Sequence, residues 1–253
     1  MKTRLDEFRD RFVELAGESR TIVVYSGLWT MARAWGMPLQ DLVDGLMARI
    51  GDVAGNDRTL LMPTFTKGYV DGFIDLDTQP GTTGVLAECM RKMPGTGRTK
   101  SAFFSFAARG PDRDTLCALH PEHAWGDGSV YAWMEDCDAI CITVGVAPQI
   151  ISAIHRVEWL CREAIDYRFS KRIAGEVRHH GVRQPLEEQL FVRRLDPAVR
   201  NDFDAALAPL TRAGLRSIDL DGVTLASVST RAIVNTLVPV VRKQPDFLLA
   251  KTQ

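Results

Sequence analysis

The chain has no excess of either charge: 31 Lys and Arg face 32 Asp and Glu over 253 residues, a formal net charge of -1. Holding a phosphate backbone takes a strong positive field, so nucleic acid is not the expected partner and a small molecule is. Long apolar runs are missing as well. Each is cut by Gly, Pro or a charge within about 8 residues, against the roughly 20 that a bilayer span needs, so no membrane role is expected. The opening residues include Lys2, Arg4, Asp6, Glu7, Arg9 and Asp10 and hold no apolar segment of the secretory kind, which makes the cytoplasm the expected location. Cysteines are few and odd in number: Cys89, Cys117, Cys137, Cys141 and Cys161 suit buried reduced thiols better than a disulfide framework. Cys137 and Cys141 lack a second pair, and His120-x-x-His123 sits between turn residues with no third ligand in register, so no metal is expected. Internal repeats and low-complexity segments are absent too.

What is present is enough length and apolar content for a full core, and one domain is expected over residues 1–253. Leu5, Phe8, Phe12, Val13 and Leu15 recur at helical spacing, ahead of a β-branched strand from Thr21 to Tyr25. Leu39, Leu42, Val43, Leu46, Met47 and Ile50 mark the clearest helix, with Pro38 in or near its first turn. Strand and helix then alternate: Thr59 to Met62 extended, Val85 to Met93 helical, Phe103 to Ala107 extended, Ala139 to Val144 extended and Ser152 to Cys161 helical. This predicts an α/β fold with a central, largely parallel or mixed sheet flanked by helices. From about residue 168 to 253 a C-terminal α+β elaboration is expected to pack on it. Its parts are a hairpin over Ile173–His180 and Leu186–Leu195, a helix from about Pro197 to Ala213, a second hairpin and a last helix through Val240.

Several residues carry potential chemistry. His155 and Glu158 lie three apart, on one face of a predicted helix with Trp159 and Arg162, where a carboxylate can fix an imidazole tautomer. The same spacing reads as an ordinary surface pair, and a metal reading lacks a third ligand. The turn Ser26-Gly27-Leu28 ends the first strand; its N–H groups suit an oxyanion, or it is a plain tight turn. Pro63 ends the second strand and opens a loop with Thr64 and Phe65. Arg98 suits a phosphate, or belongs to a solvated charged face with Arg91, Lys92 and Lys100. Glu88 falls in the first turns of its helix, where macrodipole stabilisation selects a carboxylate. The loop carboxylates Asp71, Asp75, Asp77, Glu122 and Asp127 suit a polycation, and Trp125 and its aromatic neighbours suit a sugar ring or the core.

Read in order, Thr59-Leu-Leu-Met-Pro-Thr-Phe-Thr66, Gly84-Val-Leu-Ala-Glu88, Arg98-Thr99, Ser105-Phe-Ala-Ala-Arg-Gly110 and His155-Arg-Val-Glu158 resemble the aminoglycoside 3-N-acetyltransferase family over about Val23 to Glu158. The resemblance implies an acetyl-CoA-dependent N-acetyltransferase with its own, non-GNAT fold, acting on an amine of a sugar. It implies His155 as the base with Glu158, acetyl-CoA bound near Ser26, Gly27, Leu28, Thr64, Phe65 and Arg98, and substrate near Glu88, Asp71 and Trp125. It also makes a homodimer possible. Ser101-Ala102, Ser129-Val130 and Ile151-Ser152 depart from the family pattern. These departures favour a biosynthetic amino sugar, such as a nucleotide-linked one, over a resistance enzyme acting on standard aminoglycosides. A transferase to oxygen and a non-catalytic relative that binds CoA or a sugar are the alternatives.

Overall fold

The computed structural model describes residues 2–195 and 200–250. The chain opens with helix α1 (Arg4–Ala16), whose start is fixed by Thr3: its hydroxyl accepts from Asp6 N–H while the Asp6 carboxylate accepts from Thr3 N–H. Then come β1 (Thr21–Ser26), α2 (Leu28–Trp35), α3 (Leu39–Ala54), β2 (Thr59–Pro63), β3 (Phe73–Asp75) and α4 (Val85–Lys92). The middle holds β4 (Gly97–Arg98), β5 (Phe106–Arg109), α5 (Arg113–Ala118), α6 (Val130–Asp136), β6 (Ile140–Val144) and α7 (Ile154–Leu160). The last third is β7 (Arg168–His179), β8 (Val182–Arg193), α8 (Leu207–Arg212), β9 (Arg216–Leu220), β10 (Val223–Ser229) and α9 (Thr230–Lys243).

Seven strands form the main sheet in the order β4-β5-β2-β1-β6-β10-β9. β1 pairs parallel with β2 and β6, and the other pairings are antiparallel, so the sheet is mixed with a parallel centre. β1 is buried along its length because helices cover both faces: Ile22 and Val24 pack with α1 and α3, Val23 and Tyr25 with α6, α7 and α9. The C-terminal segment divides between two sheets. β9 and β10 extend the main one, while β7 and β8 form a long hairpin that pairs with β3 in a separate three-stranded sheet. At the hairpin tip His180 and Gly181 adopt positive φ (51° and 75°), and both N–H groups donate to the Asp77 carboxylate at 2.8 Å.

Two expectations change. The strand expected from Phe103 begins at Phe106, because Ser101 Oγ and Ala102 N–H donate to the buried carboxylate of Glu188 and fold residues 101–105 into a loop. Of the helix expected from about Pro197 to Ala213, residues 196–199 lie outside the described ones. The remainder is a tight turn at Phe203–Ala206 followed by the short α8, with the Asp202 side chain capping the turn by accepting from Asp204 N–H.

Parallel β1, β2 and β6 end at Ser26, Pro63 and Val144, so the segments that follow them gather at one end of the sheet. This is where an open α/β sheet offers a crevice. Residues 145–153 bring α7 there from β6, with a tight turn at Pro148–Ile150 on the way.

Candidate active site

His155 lies in the first turn of α7 and Glu158 one turn on, so the short helix sets the pair on one stripe. His155 Nδ1 is 2.6 Å from Glu158 Oε2, and the Glu158 side chain is fully buried while that of His155 remains 24% exposed. Burial alone would raise the Glu158 pKa, but His155 and Arg168 outweigh it and hold the carboxyl below its ordinary value. An ionised carboxylate can only accept, so Nδ1 carries the proton and donates it to Glu158. Nε2, which has no hydrogen-bond partner among the described residues, is then the basic nitrogen.

The far side of Glu158 is held by two residues that spacing did not reveal. Tyr167 OH donates to Oε1 at 3.1 Å, and Arg168 Nε lies 2.8 Å from the same oxygen, close enough to neutralise it although its N–H is not aimed along that line. Arg168 also donates to the Phe191 carbonyl and brings a terminal nitrogen within 3.3 Å of His155 Nδ1. Both belong to the chain returning from α7 into β7, so only the fold makes them neighbours of the pair.

Aromatic rings form the surroundings. Trp125 is buried with its ring centre 5.0 Å from His155, Phe104 is 4.4 Å from Trp125, and Phe65 is 5.4 Å from Phe104. Phe203 meets the imidazole edge to face at 5.5 Å. A continuous line of rings therefore joins the loop after β2 to the imidazole, bringing Phe65 and Trp125 to the same site as His155 and Glu158. Arg156 fixes the Trp125 loop by donating to the Trp125 carbonyl at 2.8 Å while pairing with Glu135 and Asp127.

Ser26, Gly27 and Leu28 stand at the end of β1, with the start of α4 against them: a Cβ on Gly84 (φ 127°) would lie 3.1 Å from the Ser26 carbonyl. The Gly27 N–H does not face an open site. It donates to Val144 O at 3.0 Å, and a Cβ at Gly27 would come within 2.3 Å of Val146 Cγ1, so close packing against the turn after β6 demands the glycine. Thr64 is buried and bonded to Ser105 through both its N–H and its hydroxyl.

Arg98 is turned inward. Its guanidinium donates to Ser105 Oγ (3.0 Å) and to the carbonyls of Leu76 (2.9 Å), Gln79 (2.5 Å) and Thr64 (2.7 Å). Burial, with no carboxylate in contact, pulls its pKa down to about 10. As found, it braces the 64–79 loop from within rather than offering a free fork to a phosphate. Glu88 is likewise engaged: it pairs with Arg91 at 2.8 Å and Lys92 at 3.2 Å and accepts from Gly81 N–H. Those partners overcome the effect of burial and take its pKa down to about 2. Asp71, with φ 50°, forms a tight turn with Gly72 before β3. Gly72 O accepts from Glu176 N–H and the turn sits against Gly175 of β7, so at strand spacing it stands about 20 Å along β7 from Arg168.

His123, which sequence left without a role, is buried and stacked on Trp159 at 3.5 Å, and its Nδ1 accepts from Trp125 N–H. Burial and Arg162 lower its pKa to about 4, which keeps it neutral. No group of three or more His, Cys, Asp or Glu side chains suited to a metal occurs among the described residues.

A mixed sheet with its crevice at the ends of β1, β2 and β6 and a His–Glu pair on the following helix belongs to a recognisable class, and the family model described as aminoglycoside 3-N-acetyltransferase matches residues 24–242. The chain belongs to the aminoglycoside 3-N-acetyltransferase family. No curated protein sequence is similar enough to match. Among solved structures, AAC-VIa bound to sisomicin aligns at 18% identity over 96% of this chain and 99% of that one, with a TM-score of 0.79. AAC-IIIb in a binary complex with CoASH aligns at 19% identity, 100% and 99% coverage and a TM-score of 0.75. YokD from Bacillus subtilis gives 15% identity, 95% and 99% coverage and a TM-score of 0.73. At these identities the likeness is one of fold.

Proposed function

We propose that this protein transfers the acetyl group of acetyl-CoA to an amine of an amino sugar, with His155 as the general base. The observation that carries the mechanism is the engagement of Nδ1 by buried, ionised Glu158, which leaves Nε2 with a free lone pair in a partly open aromatic site. Family membership supplies the reaction class. The naming of sisomicin and CoASH in the solved relatives supports an amino-sugar acceptor and a CoA donor.

In this reaction Nε2 takes a proton from the amine as its nitrogen lone pair attacks the thioester carbonyl. The C–S bond of the resulting tetrahedral species then breaks, the amide forms, and the sulfur leaves and takes up the proton held by the imidazolium. Glu158, backed by Arg168 and Tyr167, stabilises that imidazolium and prevents the ring from turning. Acetyl-CoA is assigned to the crevice lined by Ser26 to Leu28 and by Thr64 and Phe65, and the acceptor to the Trp125 side of His155. Five free thiols suit a reducing, cytoplasmic setting.

The test combines two measurements. Calorimetric titration with CoA should detect binding, and a panel of amines incubated with acetyl-CoA and a thiol reagent should release free CoA. Absence of binding at millimolar CoA removes the reading, and binding without release for any amine leaves a non-catalytic relative.

A further inference from the structure

Arg168 and Arg193 are direct cross-strand partners in the β7–β8 hairpin. Like charges in opposed positions destabilise a sheet, so this pairing calls for a compensating anion on each. Arg168 has one in Glu158. Arg193 is half-buried and has neither an ion pair nor a hydrogen bond among the described residues. Its side chain shares a face of the hairpin with Phe191, which packs edge to face on Trp159 of α7 at 5.6 Å. A cation with no partner among the described residues thus stands beside the arginine that touches His155 and Glu158.

Three of the five loop carboxylates that would suit a polycationic acceptor are already engaged. Asp75 pairs with Arg178, Asp77 holds the hairpin tip with both oxygens, and Asp127 pairs with Arg156. Building on the acetyl-transfer reading, we propose that the acceptor amine also carries an anionic group, a phosphate or phosphodiester, and that Arg193 holds it. The phosphates of CoA have the same chemistry. We assign the contact to the acceptor because Arg193 rises from the hairpin on the α7 side, whereas the loops assigned to CoA end β1 and β2.

Glucosamine, glucosamine phosphate, UDP-glucosamine and gentamicin should each be titrated into the wild type, with and without saturating CoA, and into Arg193→Gln and Arg193→Lys. The two phosphorylated sugars should bind about tenfold or more tightly than glucosamine, the scale of one charged hydrogen bond. Arg193→Gln should abolish that difference and Arg193→Lys should keep a large part of it; unchanged circular dichroism checks that both fold. Equal affinity for free and phosphorylated sugars, or tighter binding of gentamicin than of either phosphorylated sugar, overturns the proposal. So does an Arg193→Gln variant that loses affinity for CoA and retains the sugar preference. If the phosphorylated sugars bind through Arg193 yet no amine releases CoA from acetyl-CoA, the anion site stands and the transfer reading falls.

Discussion

The hydroxyl of Tyr25, at the end of β1, lies 3.0 Å from Ser152 Oγ, three residues before His155. Tyr131 donates to the same oxygen at 2.9 Å, and burial pushes both phenol pKa values well above the ordinary 10. Two strand-and-helix elements are thereby pinned to the segment that delivers the imidazole. Ser152→Ala removes their common partner and leaves buried hydroxyls unsatisfied, which should cost about 1–3 kcal/mol in urea unfolding. The variant should also lower kcat while retaining CoA affinity. Wild-type stability and turnover would mean the seryl bridge does not set the position of α7.

Arg98 should behave as a brace. Arg98→Ala strands the carbonyls of Leu76 and Gln79 and leaves the Thr64 carbonyl with Ser105 Oγ alone, and a loss of about 2–4 kcal/mol is expected from these lost bonds together. Thermal and urea unfolding report it. A variant that unfolds like the wild type but loses CoA affinity by tenfold would instead identify Arg98 as a phosphate ligand.

Acid should weaken the protein through Glu158 and Glu88. Both carboxyls are held below their ordinary value of 4.5 in the folded state, Glu88 at about 2, so their contribution is complete above pH 4.5 and is lost as pH falls through the folded values. Removing the Arg168 cation by Arg168→Met raises the Glu158 pKa and so starts this loss at higher pH. At neutral pH it should cost about 3–5 kcal/mol by leaving a buried carboxylate half-compensated. Urea titrations of both proteins from pH 7 to pH 3 compare the profiles, and superimposable curves would refute the assigned role of Arg168.

Much of the fold was legible because local patterns agree with it. The apolar stripe of Leu42, Val43, Leu46, Met47 and Ile50 is the buried face of α3, and the continuous run from Thr21 to Tyr25 is the doubly covered central strand. Other segments read less well. Phe103 to Ser105 look like the start of a strand until Glu188, far along the chain, captures Ser101 and Ala102 and folds the segment into a loop. α2, α5 and α6 have eight residues or fewer and carry too little periodic signal to announce themselves.

The site divides along the same line. His155 and Glu158 were readable because one turn of one helix brings them together. Arg168 and Tyr167 were not, since their contact with Glu158 depends on the chain turning back after α7. The inward setting of Arg98 was hidden for a related reason: its partners are mainly backbone carbonyls, which carry no side-chain signature, and its neighbours in sequence are charged and surface-like. Asp71 followed the logic of charge, and its place in a turn against Gly175 of β7 depends on the β3–β7 pairing, which carries no local signal.

The central claim is that Nε2 of His155 takes the proton from the acceptor amine. Turnover of His155→Ala, measured as CoA release under saturating acetyl-CoA and the best acceptor across a pH series, tests it most directly. A fall in kcat of about 10²–10⁴ with CoA affinity nearly unchanged is predicted, with a smaller fall for Glu158→Gln. Near-normal turnover of His155→Ala at pH 7 would contradict the account and make the pair structural.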